Sequence, residues 1–216
     1  MRAEFRADLL EIGRLLVSMA EAVRTAMSQA TDALLTADRS AAESVVARDD
    51  EIDNTYRLVE EKVYEVLARQ APVAGDLRMV VSALHIAGDM ERMGDLADHV
   101  ARTGLRRHPA PTVPQELVGV FRQMGNVADR LALELSQVLT APDAGRAARL
   151  DHADDDMDAL HRQLFAALLG PGWPHGVEPA VDAALLGRYY ERYADHAVNA
   201  GRQIVYLITG EPVTPQ

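Results

Sequence analysis

The spacing of apolar residues constrains the fold of this chain most, because long segments repeat them three and four positions apart. That period is typical of amphipathic α-helices, and long runs of β-branched residues, which would favour strands, are absent. Proline and glycine interrupt the pattern at Pro72 and Gly75, at 108–114, at Pro142 and at 170–176. The sequence therefore predicts an all-α protein of six helices, over residues 4–36, 39–70, 74–107, 115–140, 143–169 and 178–209.

The second half of the chain repeats the first. Aligning the halves places Asp38 on Asp143, each at the position of a helix N-cap. Further along, four charged positions of the first half, Glu91, Arg92, Asp95 and Arg102, align with Glu191, Arg192, Asp195 and Arg202. Because one three-helix unit alone would expose much of its apolar surface, we predict two tandem homologous three-helix bundles packed side by side, over residues 1–108 and 115–216.

Charge and composition exclude several classes of partner and chemistry. Of the 216 residues, 33 are acidic and 22 are Lys or Arg, so the formal net charge is -11 and a nucleic-acid partner is not expected. The absence of cysteine excludes disulfides, thiolate nucleophiles and cysteine-ligated metal centres. The chain contains neither a secretory leader core nor a long uninterrupted apolar stretch, so we expect a cytoplasmic protein without direct membrane insertion.

Four pairs of carboxylates lie on the apolar faces of helices rather than opposite them. In the third predicted helix the apolar stripe through Val80 and Leu84 continues into Glu91 and Asp95, and Asp98 shares that face. Each pair has the spacing that places two side chains on one side of a helix. The pairs are Asp49 with Asp53, Glu91 with Asp95, Asp154 with Asp158, and Glu191 with Asp195.

Predicted helical hairpins bring these pairs together. If the second and third helices run antiparallel about Pro72, Asp49 faces Asp95 and Asp53 faces Glu91, and the second unit has the same arrangement. Four carboxylates that converge raise one another's pKa values unless a positive group compensates their charge. Each unit is therefore predicted to hold an acidic cluster that requires a bound cation or basic neighbours.

Two interpretations of the clusters are open. Oxygen ligands suit Mg²⁺, Mn²⁺, Ca²⁺ or iron, and an imidazole would favour iron or zinc. His99, one turn beyond Asp95, and its counterpart Asn199 are further candidate ligands, whereas His161 and His196 are weaker candidates. In the alternative interpretation, four arginines neutralise the acids in ordinary ion pairs: Arg92, Arg102, Arg192 and Arg202.

Signatures of catalysis are missing from the sequence. It contains no glycine-rich phosphate loop, no Glu-x-x-His motif of the ferritin-like di-iron type and no recognisable nucleophile with its base. We therefore expect a protein that is not an enzyme. Two alternatives stand beside this expectation: a metal-dependent enzyme that processes phosphoesters through bridging cations, and a purely structural helical scaffold.

Four segments of the chain resemble a known family: RDDEID, DLRMVVSALHIAGDMERMGDLADHVAR, HADDDMD and GRYYERYADHAVNAGRQIVYLITGE. The resemblance is to the PhoU family of regulators of phosphate-specific transport, and it covers nearly the whole chain. It implies two three-helix bundles in one chain, a homodimer, and E/D-x-x-x-D motifs that in some members hold multinuclear iron or other metal clusters. Those motifs match the four carboxylate pairs.

The resemblance also implies a function and partners. The family reports the activity of the phosphate ABC transporter to a sensor histidine kinase and keeps phosphate-starvation genes off when phosphate is plentiful. We therefore expect a negative regulator that contacts the ATPase subunit of the transporter and the kinase, and that modulates phosphate uptake. Tyr193 and Ala194 stand where the family favours Ile and Gly. This departure lies between two proposed ligands of the second cluster and therefore bears on whether that cluster holds a metal. His99 stands where Asn is common.

Overall fold

The fold consists of six long α-helices, as the sequence predicts. The computed structural model describes residues 2–211, with the side chains of residues 2–3 and 151–153 left aside. Met1 and residues 212–216, the outer ends of the two predicted units, lie outside that description. The helices are α1 (Arg2–Thr36), α2 (Arg39–Gln70), α3 (Gly75–Arg107), α4 (Val118–Thr140), α5 (Ala144–Leu168) and α6 (Val177–Thr209).

The helix ends follow from local chemistry. Asp38 precedes α2, and its carboxylate accepts a hydrogen bond from the backbone N–H of Ala41 at 3.0 Å. Asp143 caps α5 in the same way through the N–H of Arg146, so both predicted N-caps are confirmed. The fourth predicted helix differs at its start, because residues Gln115–Leu117 form a single 3₁₀ turn before α4 begins.

Four helices form the centre of the molecule, and two flank it. α1 and α3 of the first unit pack on α4 and α6 of the second, whereas α2 contacts α1 and α3, and α5 contacts α4 and α6. α1 and α4 run antiparallel, since Arg24 pairs with Asp129 at 2.7 Å and Ser136 donates to Glu21 at 2.5 Å. Arg24 and Asp129 are equivalent residues of the two repeats, so their contact marks an approximate two-fold axis between the units.

The core is continuous across the two units. Tyr190 and Tyr193 of α6 are fully buried, and burial raises the pKa values of both phenols far above the ordinary value. The Tyr190 hydroxyl shares a 2.7 Å hydrogen bond with Thr31, and the Tyr193 hydroxyl donates to the Val23 carbonyl at 3.1 Å. Both bonds cross to α1, so the second unit is held by specific polar contacts as well as by apolar burial.

None of the helices over residues 2–211 has both the length and the apolar content that a bilayer crossing requires.

Candidate functional site

The α2–α3 hairpin brings the four predicted carboxylates of the first unit together. Asp49 is half-buried, and burial, followed by the charges of Asp98, Asp53 and Asp95, raises its pKa to about 6. Burial also raises the pKa of Glu91, and the neighbouring charge of Asp95 adds to that effect. These mutual effects arise because the hairpin places acidic residues of α2 and α3 close to one another.

Asp98 joins this first cluster, although the four-pair pattern leaves it out. Its side chain is only 9% exposed, and its Oδ2 accepts a hydrogen bond from Arg102 Nε at 2.5 Å. The other oxygen, Oδ1, is buried and has no hydrogen-bond partner. The sequence already places Asp98 on the acidic face of α3. Comparison of the two repeats does not single it out, because the equivalent residue of the second repeat is Val198.

The second unit forms a similar cluster between α5 and α6. Burial, followed by the charges of Asp195, Asp158 and Glu191, raises the pKa of Asp154 to about 6. Asp154 Oδ1 is buried without a hydrogen-bond partner, as Asp98 Oδ1 is in the first unit. Asp158 lies at the outer edge of the cluster, with its side chain 51% exposed. The structure thus brings the four predicted carboxylates of the second unit together as well.

The predicted nitrogen and amide ligands are placed differently. His99 is exposed and stacks on Tyr189 of α6, with ring centroids 5.2 Å apart. Asn199 is also exposed, and its carbonyl oxygen accepts a 3.4 Å hydrogen bond from Arg202. Although each follows an acidic residue by one helical turn, His99 is engaged by Tyr189 at the α3–α6 contact and Asn199 by Arg202 at the surface.

The two weaker histidine candidates also have other surroundings. His196 Nδ1 lies 2.9 Å from Asp89 Oδ1, across the contact between the two units. His161 packs edge-on against Phe165, and its Nε2 is buried without a hydrogen-bond partner.

Arginines neutralise part of each cluster, as the alternative interpretation expects. Arg92 contacts Asp95 at 2.8 Å and Glu91 at 3.3 Å. In the second unit Glu191 pairs with Arg188, a residue outside the four arginines named from the sequence. Asp49 and Asp154 form no ion pair with any residue that the structure describes, which leaves one inner carboxylate in each cluster without a direct counter-charge.

The chemistry of these inner carboxylates suits a hard cation. Each cluster contains a buried carboxylate oxygen without a partner, at Asp98 in the first and at Asp154 in the second, and a cation would satisfy it. In the part of the chain that the structure describes, no three His, Asp or Glu side chains stand close enough to enclose an ion. Binding would therefore require side-chain movement, and the outer arginines would have to release their carboxylates.

The first cluster borders the contact between α3 and α6. His196 of α6 lowers the pKa of Glu91, against the larger effect of burial, so the second unit reaches the first cluster electrostatically. Arg107, at the end of α3, bridges to the start of α6 through Asp182 at 2.6 Å and Glu178 at 2.9 Å. The same pair of helices therefore carries the first acidic cluster and part of the packing between the two units.

Comparison with known proteins identifies the architecture. The model of the PhoU domain family matches residues 16–103 and 121–204, one match in each unit. The phosphate-specific transport system accessory protein PhoU homolog 1 of Mycobacterium leprae is 44% identical, over 97% of this chain and 95% of its own length. Homolog 2 of Mycobacterium tuberculosis is also 44% identical, over 97% of this chain and 99% of its own length.

Solved structures agree with the sequence comparisons. PhoU from Pseudomonas aeruginosa superposes with a TM-score of 0.87 at 28% identity, covering 96% of this chain and all of that one. The phosphate transport system regulatory protein PhoU from Streptococcus pneumoniae gives a TM-score of 0.86 at 25% identity, over 98% of this chain and 100% of that one. With both repeats matched and relatives aligned along almost their full length, the chain belongs to the PhoU family.

Proposed function

We propose that this chain is an accessory protein of a phosphate-specific transport system that represses the phosphate-starvation response while phosphate is plentiful. The observation that carries the proposal is the 44% identity, over nearly the whole chain, to proteins named as accessory proteins of that system. The chain acts by binding other proteins, and the proposal assigns it no catalytic residue. Its partners are the ATPase subunit of the transporter and a phosphate-sensing histidine kinase, and it works in the cytoplasm as a homodimer.

The metal centres form a second part of the proposal. Asp49, Asp53, Glu91 and Asp95 would hold a cation in the first unit, and the equivalent set, Asp154, Asp158, Glu191 and Asp195, would do so in the second. A bound cation supplies the positive charge that the inner carboxylates lack, and thereby ties the outer helix of each unit to the central four. The candidate ions are iron, including multinuclear clusters, and Zn²⁺, Mn²⁺, Mg²⁺ or Ca²⁺.

The regulatory proposal is tested in the organism that carries the gene. Deletion should switch on alkaline phosphatase at high phosphate and alter phosphate uptake, and the wild-type gene supplied in trans should restore repression. Unchanged expression and uptake after deletion would refute the proposal. Affinity capture with the purified ATPase subunit and the kinase, each tested separately, identifies which partner is contacted directly.

Metal content is tested independently of regulation. Elemental analysis of freshly purified protein should find bound metal, and the double variant Asp49→Asn, Asp154→Asn should lose most of it, because it removes the inner carboxylate of each cluster. Asp50→Asn changes the charge equally on the exposed side of α2 and serves as the matched control. Equal metal content in all three proteins would contradict the assignment of the clusters.

A further inference from the structure

A small cavity in the first unit lies beside the acidic pairs, between α1, α2 and α3. Its volume is about 20 Å³, enough for one occupant the size of a water molecule. Asp49 and Asp98 line it from α2 and α3, and Thr25 and Gln29 border it from α1. The carboxylate of Glu51 also lines the cavity but pairs with Arg48 at 3.2 Å. The cavity therefore offers the carboxylates of Asp49 and Asp98, with hydroxyl and amide oxygens nearby.

Asp98 is the residue that marks this cavity as a binding site. It is only 7% exposed, on the face of α3 that also carries Glu91 and Asp95, and an ionised carboxylate is costly to bury beside like charges. Arg102 satisfies Oδ2 only, whereas Oδ1 has no hydrogen-bond partner. Because Arg48 at the cavity is already paired with Glu51, Arg102 is the basic partner left for Asp49 and Asp98, and an excess negative charge remains at the cavity wall.

Gly94 keeps the cavity open. A Cβ atom at this position would lie 3.0 Å from Ile52 Cδ1 and 3.6 Å from Asp49 Oδ1, within the space between α2 and α3. Gly94 has helical neighbours on both sides, so its role here is the room it leaves rather than an unusual backbone conformation.

The second unit replaces the lining of this cavity with larger or apolar side chains. The counterparts of Gly94 and Asp98 are Ala194 and Val198, and both are buried. Two more lining positions follow the same trend, since Ala26 and Ile52 correspond to Leu131 and Met157, which are completely buried. The difference between the units thus extends over all three helices that line the cavity, and on α3 it removes the carboxylate of Asp98.

We propose that Asp98 and Asp49 of the first unit form a binding site for one small divalent cation, of the Mg²⁺ or Mn²⁺ class, that the second unit lacks. This inference rests on the proposed metal binding by the acidic clusters and adds an ion that the E/D-x-x-x-D pairs alone do not provide. Asp98 Oδ1 and the Asp49 carboxylate bind the ion directly, and retained water completes its coordination, as is usual for Mg²⁺. Arg102 stays on Oδ2 and keeps Asp98 oriented.

Titration of the full-length, chelator-stripped protein with Mn²⁺ tests this site. Isothermal calorimetry gives the affinities, electron paramagnetic resonance counts the bound ions, and Mg²⁺ is used as the competitor. The wild type should bind one more ion tightly than the Asp98→Asn variant, in which that ion is weakened roughly tenfold or more because a charged ligand is lost. Gly94→Ala should weaken the same ion while both carboxylates remain.

Two control variants separate this site from the paired clusters. Asp50→Asn should leave every affinity unchanged, because Asp50 is exposed on α2. Asp195→Asn should weaken binding in the second unit and leave the ion at Asp98 unaffected. Mn²⁺ binding that is identical in the wild type, Asp98→Asn and Gly94→Ala would overturn the inference but preserve the metal proposal for the paired clusters. Failure of the wild type to bind any Mn²⁺ or Mg²⁺ would overturn the inference and count against the metal proposal too.

Discussion

The two acidic clusters occupy equivalent positions in the repeat, yet the surroundings of their inner carboxylates differ. In the first cluster Asp98 adds a fifth carboxylate, and Arg102 holds one of its oxygens. In the second cluster Val198 takes that place, and Asp154 itself carries the buried oxygen without a partner. Identical carboxylate spacing on two helices therefore does not produce identical clusters, because the surroundings of each cluster also depend on residues outside the motif.

The departure at Tyr193 illustrates the same lesson. The bulky ring does not point into the second cluster but is buried against α1, where its hydroxyl donates to Val23. Met93, its counterpart, is also completely buried. The middle positions of the E/D-x-x-x-D motif on α3 and α6 thus belong to the core between the units, and the acidic positions face the flanking helices.

The largest effect should come from removing that core contact. Tyr193→Ala is expected to lower the free energy of unfolding by about 3–5 kcal/mol, because a fully buried aromatic side chain is lost and a cavity remains. Tyr189→Ala, at a half-buried position on the same helix, is the matched control and should cost much less. Denaturant unfolding measures both variants. Equal losses would show that Tyr193 does not anchor the contact between the units.

A smaller effect is expected when one cluster loses a ligand. Glu91→Ala should lower the melting temperature in saturating metal but hardly in chelator, because a ligand that binds only the folded state contributes about 2.7 kcal/mol at a hundredfold excess over its Kd. Glu191→Ala makes the same change in the second cluster. Thermal scans with metal and with chelator compare the two variants. Equal losses under both conditions would mean that the glutamates stabilise the fold without an ion.

The smallest effect concerns the pH dependence of the metal-free protein. Burial raises the pKa of Asp49 to about 6, above its value in the unfolded chain, so the folded state binds more protons in the interval between the two values. Stability from this group is present at low pH and is lost as the pH rises through about 6. Asp49→Asn should therefore stabilise the metal-free protein near neutral pH by about 1 kcal/mol, a value reduced for solvent screening because the side chain is half exposed.

The same substitution in the second unit sharpens the comparison. Asp154 has its pKa raised to about 6 by the same cause, so Asp154→Asn should have a similar effect, and both effects should vanish in acid. Chemical unfolding across a pH series, in chelator, measures the two variants against the wild type. A stabilisation that grows as the pH falls would have the wrong sign and would contradict the direction of these pKa shifts.

Much of the fold could be predicted from the sequence, because long amphipathic helices have strong local signals. The breaks around Pro72 and at 170–176 placed the two hairpins correctly, and Asp38 and Asp143 marked helix starts through their capping chemistry. The 3₁₀ turn at Gln115–Leu117 was missed, since the same residues also satisfy a helical period.

The candidate site was only partly predictable. Helical angles and hairpin pairing were enough to bring Asp49 to Asp95, because both quantities depend on backbone geometry alone. They could not place His99, whose ring position depends on how α3 packs on Tyr189. Nor could they show that Glu191 would form its ion pair with Arg188, because tertiary contacts determine which of several long, flexible arginine side chains reaches a given carboxylate.

The ion pair between Arg24 and Asp129 bears on how such a molecule arises by duplication. A true homodimer of the first unit would bring Arg24 against its own copy at the symmetry axis, and like charges there repel. Fusion into one polypeptide allows the two copies to carry opposite charges, so each half becomes complementary to the other and not to itself. A second copy of the first unit therefore could not replace the second unit at this contact without placing two arginines together. The two units are related by approximate symmetry, but they are not interchangeable.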